Sequence, residues 1–176
     1  PDLIRKDLAF LESKGKCKKI YGGAILNRLN VHLEDANSRK NVNSKEKQKI
    51  AQMAYDLIEP NMTVFLDIST TNIELAKLLV LRPISGITVV TNMLDVIQIL
   101  STSQIHSIFI GGEFDYARNG FVGNMCDEFL QRFHFDLAFL GVVGIDLESK
   151  SVMTYMPNDG QTKRIVLKQS KKAYML

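Results

Sequence analysis

Cysteine and histidine are scarce in this chain: 176 residues hold two cysteines and three histidines. Cys17 and Cys126 are far apart in sequence, and neither falls at a ligand-like spacing with His32, His106 or His134. Neither a disulfide framework nor a zinc site is suggested, so the expectation is reduced, structural cysteines with no metal and no cofactor. Long apolar runs are missing as well. Ile105 to Ile110 is broken by His106 and Ser107 and falls far short of a bilayer span. The first residues lack the apolar core of a signal peptide. A soluble, cytoplasmic chain with no membrane partner is therefore expected. With 45% hydrophobic and 23% charged residues, the composition suits one compact domain with a sizeable core plus a short appendage, and not a disordered tail.

The net charge of +3 conceals an asymmetry. Residues 1 to 49 hold 12 Lys/Arg against 6 Asp/Glu, whereas residues 50 to 176 hold 10 against 13. A basic end on a near-neutral body suits a head that faces a polyanion, and a merely solvated basic face gives the same count.

Pro1 to Lys14 reads as a helix with Ile4, Leu8 and Leu11 on one stripe, ended by Gly15. Lys16 to Tyr21 reads as a short strand closed by Gly22-Gly23, and residues 24–42, rich in Asn, Arg and Lys, read as a linker. From Asn43 the pattern becomes regular. Asn43 to Glu46 and Thr71 to Glu74 have the spacing of capping boxes, and Asn92 is placed to cap a third helix. Strands are expected at Thr63–Leu66, Ile87–Val90, Ile108–Ile110, Asp136–Leu140 and Lys172–Leu176, with later helices over Met125–Phe133 and Asp159–Ser170. Strands thus alternate with helices five times. This predicts an α/β fold, a mostly parallel sheet with helices on both faces.

In such sheets ligands bind at the carboxyl ends of the strands. The loop Asp67-Ile68-Ser69-Thr70-Thr71 runs from a strand into a helix N-terminus, where unpaired amides, the positive end of the helix dipole and three hydroxyls suit a phosphate or carboxylate. Asp67, at the strand tip, is placed to accept hydrogen bonds from sugar-type hydroxyls. An ordinary cap and a loop carboxylate read equally well from these residues alone. Asn92, Gly111-Gly112 with the polar loop that runs on to Gly120–Gly123, and Gly141 to Gly144 follow three other strands, so four strand ends in all carry small or polar residues. Lys163, alone on the last helix, reads as a solvated surface residue.

Taken together the residues resemble the DeoR (deoxyribose-operon repressor) family of transcriptional regulators. The resemblance is carried by Ile4 to Leu8 with Leu11-Glu12 and Gly15, Tyr21 to Ala24, Arg39, Asn43, Glu46-Lys47 and Leu66 to Thr71. It continues through Val89 to Asn92, Gly111 to Glu113, Gly120 to Gly123, Asp136 with Ala138 to Gly141, Gly144-Ile145 and Lys163-Arg164, in the family's order. It implies a winged helix-turn-helix head joined to a sensor domain related to ribose-5-phosphate isomerase, glucosamine-6-phosphate deaminase and CoA transferases. Residues 1–23 would be a remnant of the head, 24–42 the linker and 43–176 the sensor, shortened at its C-terminal end. On this resemblance Asp67, Ser69, Thr70 and Thr71 form a phosphate and hydroxyl cradle, and Asn92, Gly111, Gly112, Gly120, Phe121, Gly123 and Gly141 line the pocket. Lys163 supplies a positive charge to the phosphate. Arg5, Lys6, Lys18 and Lys19 contact operator DNA.

The chain departs from the family in beginning inside the expected recognition helix and in carrying Leu3 where Thr is usual. Asp159-Gly160 stands in place of Glu-Ala, so no role is assigned to that carboxylate. The function implied is that of a non-enzymatic repressor of sugar metabolism, with a phosphorylated sugar and operator DNA as partners and a homodimer or homotetramer as its state. A sugar-phosphate isomerase or deaminase of the same fold is the rival, although no His or Glu stands at a strand end as a partner for Asp67. A plain oligomerisation domain is the third reading.

Overall fold

The computed structural model describes residues 2–14, 17–26 and 36–176, in two units, Pro1–Glu34 and Asp35–Leu176. In the first unit, helix α1 (Asp2–Ser13) is followed by the antiparallel hairpin of β1 (Cys17–Ile20) and β2 (Gly23–Leu26), with Cys17 opposite Leu26 and Ile20 opposite Gly23. Gly22 turns this hairpin at φ +86°, a conformation suited to a residue without Cβ. Cys17 is buried and its thiol donates to the Leu8 carbonyl. Of the expected apolar stripe, Leu8 is half-buried while Ile4 and Leu11 are exposed.

The second unit holds α2 (Ala36–Arg39), α3 (Ser44–Tyr55), β3 (Thr63–Leu66), α4 (Thr70–Leu81), β4 (Thr88–Thr91), α5 (Leu94–Leu100) and β5 (His106–Phe109). It continues with β6 (Glu113–Asp115), β7 (Gly120–Val122), α6 (Asn124–Leu130), β8 (Phe135–Leu140), β9 (Gly144–Asp146), β10 (Ser151–Met153), α7 (Pro157–Gln169) and β11 (Ser170–Met175). Five strands form one sheet in the order β11-β8-β3-β4-β5, and every pairing in it is parallel. Side chains alternate across it. Val64, Leu66, Val89, Leu137 and Phe139 pack with Ala51, Leu75, Leu79 and Val96 of α3, α4 and α5. Phe65, Val90, Ala138 and Leu140 pack with Cys126 and Leu130 of α6 and with Ile165 and Val166 of α7. Both faces are thus covered by helices, which is why these strands read as continuous apolar runs. The expected α/β architecture is the one observed.

Two antiparallel hairpins, β6–β7 and β9–β10, lie outside the main sheet and are not among the expected strands. Likewise, β2 and α2 fall inside the stretch expected to be a linker, while residues 27–35 of that stretch, including His32, lie outside the described residues. The cap assignments also shift. Asn43 precedes α3 in a left-handed conformation with no side-chain cap bond, and the N-cap of α4 is Ser69 instead of Thr71. Met93, not Asn92, precedes α5, because the Asn92 amide is used elsewhere. The chain adds β4 and β5 on one side of β3, then returns to add β8 and β11 on the other. The carboxyl ends of β3 and β8 therefore flank the topological switch point, where open α/β sheets form a crevice.

Candidate functional site

Asp67 follows β3 directly, and its backbone N–H donates to the Phe139 carbonyl of β8. Its Oδ2 accepts two donors: the N–H of Gly141, just past β8, at 3.0 Å, and the Lys163 ammonium of α7 at 2.8 Å. Lys163 also donates to Oδ1 of Asp159, one helical turn earlier on α7. All three side chains are buried. Spacing of four residues places Asp159 and Lys163 on the same face of the helix, here the inward face. A second tie from α7, Thr162 Oγ1 to Asp127 Oδ1 of α6 at 2.6 Å, holds that face in place.

Burial pushes the Asp67 carboxyl above the usual carboxylate range, against the pull of Lys163. Burial also works against the Lys163 ammonium, but Asp67 and Asp159 outweigh it and hold the lysine above its ordinary value. Two carboxylates share this one ammonium. The Lys163 ammonium, expected as counter-charge to a phosphate, is here paired with two buried carboxylates. The reading of Lys163 as a solvated residue is corrected.

The loop after Asp67 is shaped for close approach. Ser69, half-buried and extended, caps α4 by accepting from the N–H of Thr71 at 3.2 Å, so Ser69, Thr70 and Thr71 enclose the first turn of a 12-residue helix. Thr71 is buried. Asn72 Nδ2 donates to the carbonyls of Asp67 and Phe139, clamping β3 to β8, and its Oδ1 is buried without a partner. A Cβ on Gly141 would stand 2.5 Å from the Ile68 carbonyl oxygen, and one on Gly120 would stand 2.5 Å from the Ile68 side chain. These two glycines let the Ile68–Ser69 loop pack close to its neighbours.

Thr91 and Asn92 end β4 beside this loop. Thr91 Oγ1 donates to the Leu66 carbonyl and accepts from Met93 N–H. Asn92 Nδ2 donates to the Phe121 carbonyl, fixing β7, while its Oδ1 is buried without a partner. Phe121 packs edge-on against Phe109 at 5.3 Å. A Cβ on Gly112 would meet the Val122 carbonyl, Gly111 faces open space, and Gly123 turns the chain at φ +89°. Beside α7 lies a cavity of about 140 Å³, lined in part by Glu113, Asp115, Asn158 and Asp159. The thiol of Cys126, fully buried, is pushed up to about 12 by burial and by the nearby Asp127 and Asp67.

The sequence reading did not single out Asn72, Asp127 or Thr162 and assigned Asp159 no role. Only Asp159 carried a signal, its spacing of four from Lys163. Arg5 and Lys6 lie exposed on α1, and Lys18 and Lys19 lie exposed on β1. Among the described residues no helix is long and apolar enough to cross a membrane, and no group of three or more His, Cys, Asp or Glu is arranged to hold a metal ion.

A family model described as the DeoR C terminal sensor domain matches residues 42–176, and one described as a DeoR-like helix-turn-helix domain matches residues 2–29. A protein of Escherichia coli O157:H7 named for the aga operon is 34% identical over 92% of this chain and 60% of its own length. The lactose phosphotransferase system repressor of Lactococcus lactis is 33% identical over 98% of this chain and 68% of its own length. The L-fucose operon activator of Haemophilus influenzae is 31% identical over 99% of this chain and 69% of its own length. The chain thus spans about two thirds or less of these curated relatives. Ribose 5-phosphate isomerase A from Methanocaldococcus jannaschii superposes with a TM-score of 0.55 at 14% identity, over 76% of this chain and 52% of the isomerase, which is a likeness of fold.

Proposed function

The chain belongs to the DeoR family of transcriptional regulators, and on that premise we propose that residues 43–176 sense a phosphorylated sugar whose binding changes the regulator's hold on operator DNA of a sugar-metabolism operon. The observation that carries the reading is the Ser69–Thr71 turn at the switch point. There the first amides of α4, which have no intrahelical acceptor, and two half-buried hydroxyl residues stand at the positive end of the helix dipole. The glycines at 120 and 141 support the loop, and the Lys163 pair holds Asp67 in place beside it. In this reading residues 1–23, with Arg5, Lys6, Lys18 and Lys19, contribute to DNA contact. A homo-oligomer supplies the two-fold pairing that half-site recognition requires. An effector acts by binding one of two arrangements more tightly, which shifts the population between them.

The proposal is tested by measuring operator binding by the complete regulator across a panel of sugar phosphates. A sugar phosphate that shifts operator affinity at least severalfold, with the shift abolished by Thr71→Val, supports it. Operator affinity indifferent to every member of the panel contradicts it. Turnover of a panel member would instead favour an isomerase-like enzyme.

A further inference from the structure

Helix α3 turns Ala51 and Ala54 inward, yet it also leaves an apolar strip in the open. Ile50 is 37%, Met53 70% and Leu57 39% exposed, and spacings of three and four residues set them in one line along the helix and the turn that ends it. Leu57 also lines a recess of about 360 Å³ together with Tyr174 of β11, the edge strand of the sheet. An apolar line of this kind, rimmed by charges, marks a contact surface.

The charges beside the strip decide what covers it. Residues 44–50 hold Lys45, Lys47 and Lys49 against Glu46, whereas residues 51–59 hold Asp56 and Glu59 and no cation. The Lys47 ammonium is occupied by the Arg39 carbonyl. Lys45, Lys49, Asp56 and Glu59 are exposed and make no ion pair among the described residues. A basic first half and an acidic end are the reverse of what the helix dipole favours. An antiparallel neighbour bearing the same charges offsets that cost, because its acidic end lies along this basic half. A second copy of the chain related by a two-fold axis is such a neighbour: Lys49 then faces Asp56 of the other copy, Lys45 faces its Glu59, and both pairs recur on the far side of the axis. This alignment sets the axis beside Met53, where the two apolar strips lie across each other.

We propose that the exposed face of α3 is a self-complementary interface, at which two copies of this chain pack their α3 helices antiparallel about a two-fold axis beside Met53. This rests on the homo-oligomer reading above for its symmetry and adds the face that forms it. A uniformly acidic or uniformly basic partner would satisfy one half of the helix and be repelled by the other, whereas a second copy satisfies both halves at once.

Sedimentation of the full chain over a concentration series, wild type against variants, tests the proposal. The wild type is expected to dimerise. Met53→Glu, at a side chain 70% exposed and so of little cost to the fold, raises the dimer dissociation constant roughly 10-fold or more, with the melting curve unchanged under dilute, monomeric conditions. Lys49→Glu and Asp56→Lys each weaken the dimer severalfold, because the symmetry repeats every like-charge contact. Combined in one chain they restore it, since the exchanged charges again face opposite signs. Mild oxidation of Met53→Cys links two copies through the residue beside the axis, and Leu81→Cys, on α4 and 76% exposed, gives no such link. Should a Met53 variant fail to fold, the charge exchange gives the answer by itself. A dimer indifferent to Met53→Glu, or a double charge variant no better than the single ones, overturns the α3 face and leaves the homo-oligomer reading standing. A chain that stays monomeric at every concentration overturns both. The sugar-phosphate response of Ser69–Thr71 is read in a separate titration, so its failure is distinguishable from either.

Discussion

Lys163 Nζ lies 2.8 Å from Oδ2 of Asp67, joining the inward face of α7 to the tip of β3 with both groups buried. Removing only the lysine, as in Lys163→Met, leaves two buried carboxylates without their cation. The expected cost is about 3–5 kcal/mol, read as a lowered urea midpoint. Asp67→Asn in the same chain should recover part of that loss, because the two residues are coupled. Strict additivity of the two changes would show that the pair is not formed in solution.

Ser69 and Gly141 shape the same loop in different ways. Ser69→Ala removes a cap and should cost about 0.5–2 kcal/mol. Gly141→Ala drives a methyl to 2.5 Å from the Ile68 carbonyl oxygen and should cost about 1–3 kcal/mol through overpacking. Denaturant unfolding checks both. A neutral Gly141→Ala would mean that the loop stands further from β8 than 2.5 Å implies.

Cys126 gives a pH dependence. Its folded value of about 12 lies above the ordinary 9.0, so the folded chain keeps a proton that the unfolded chain releases. The stability from this group is complete below pH 9 and is lost as pH rises from 9 towards 12. Lys163, also raised, adds to the loss above pH 10.5. The urea midpoint should fall across that alkaline window, and less steeply in Cys126→Ala. In the native state at pH 8, iodoacetamide should leave Cys126 unmodified, since the reactive species is the thiolate.

The alternation of apolar strands with helices was legible because Thr63–Leu66 and Thr88–Thr91 are buried on both faces and carry little but β-branched and apolar residues. The β6–β7 and β9–β10 hairpins were not legible, since strands of three residues show no period. The Ser69–Thr71 loop was found because a strand end running into a helix start is a local pattern. The capping box read at Thr71 was displaced two residues, as Ser69 already satisfies the Thr71 amide. Lys163 was drawn to the site only by family resemblance, and its partners were missed: Asp67 is distant in sequence, and the strand order that brings α7 to β3 is a non-local property. Asp159 was passed over although its spacing from Lys163 put both on one helical face.

The most decisive measurement is a backbone amide NMR titration of the chain with sugar phosphates. If the anion sits on the first turn of α4, the amides of Ile68 to Thr71 and of Gly141 shift first and saturate with the ligand, and Thr71→Val weakens that saturation. Saturable shifts confined to other surfaces, with Ile68 to Thr71 unmoved, would contradict a sensor site at the switch point.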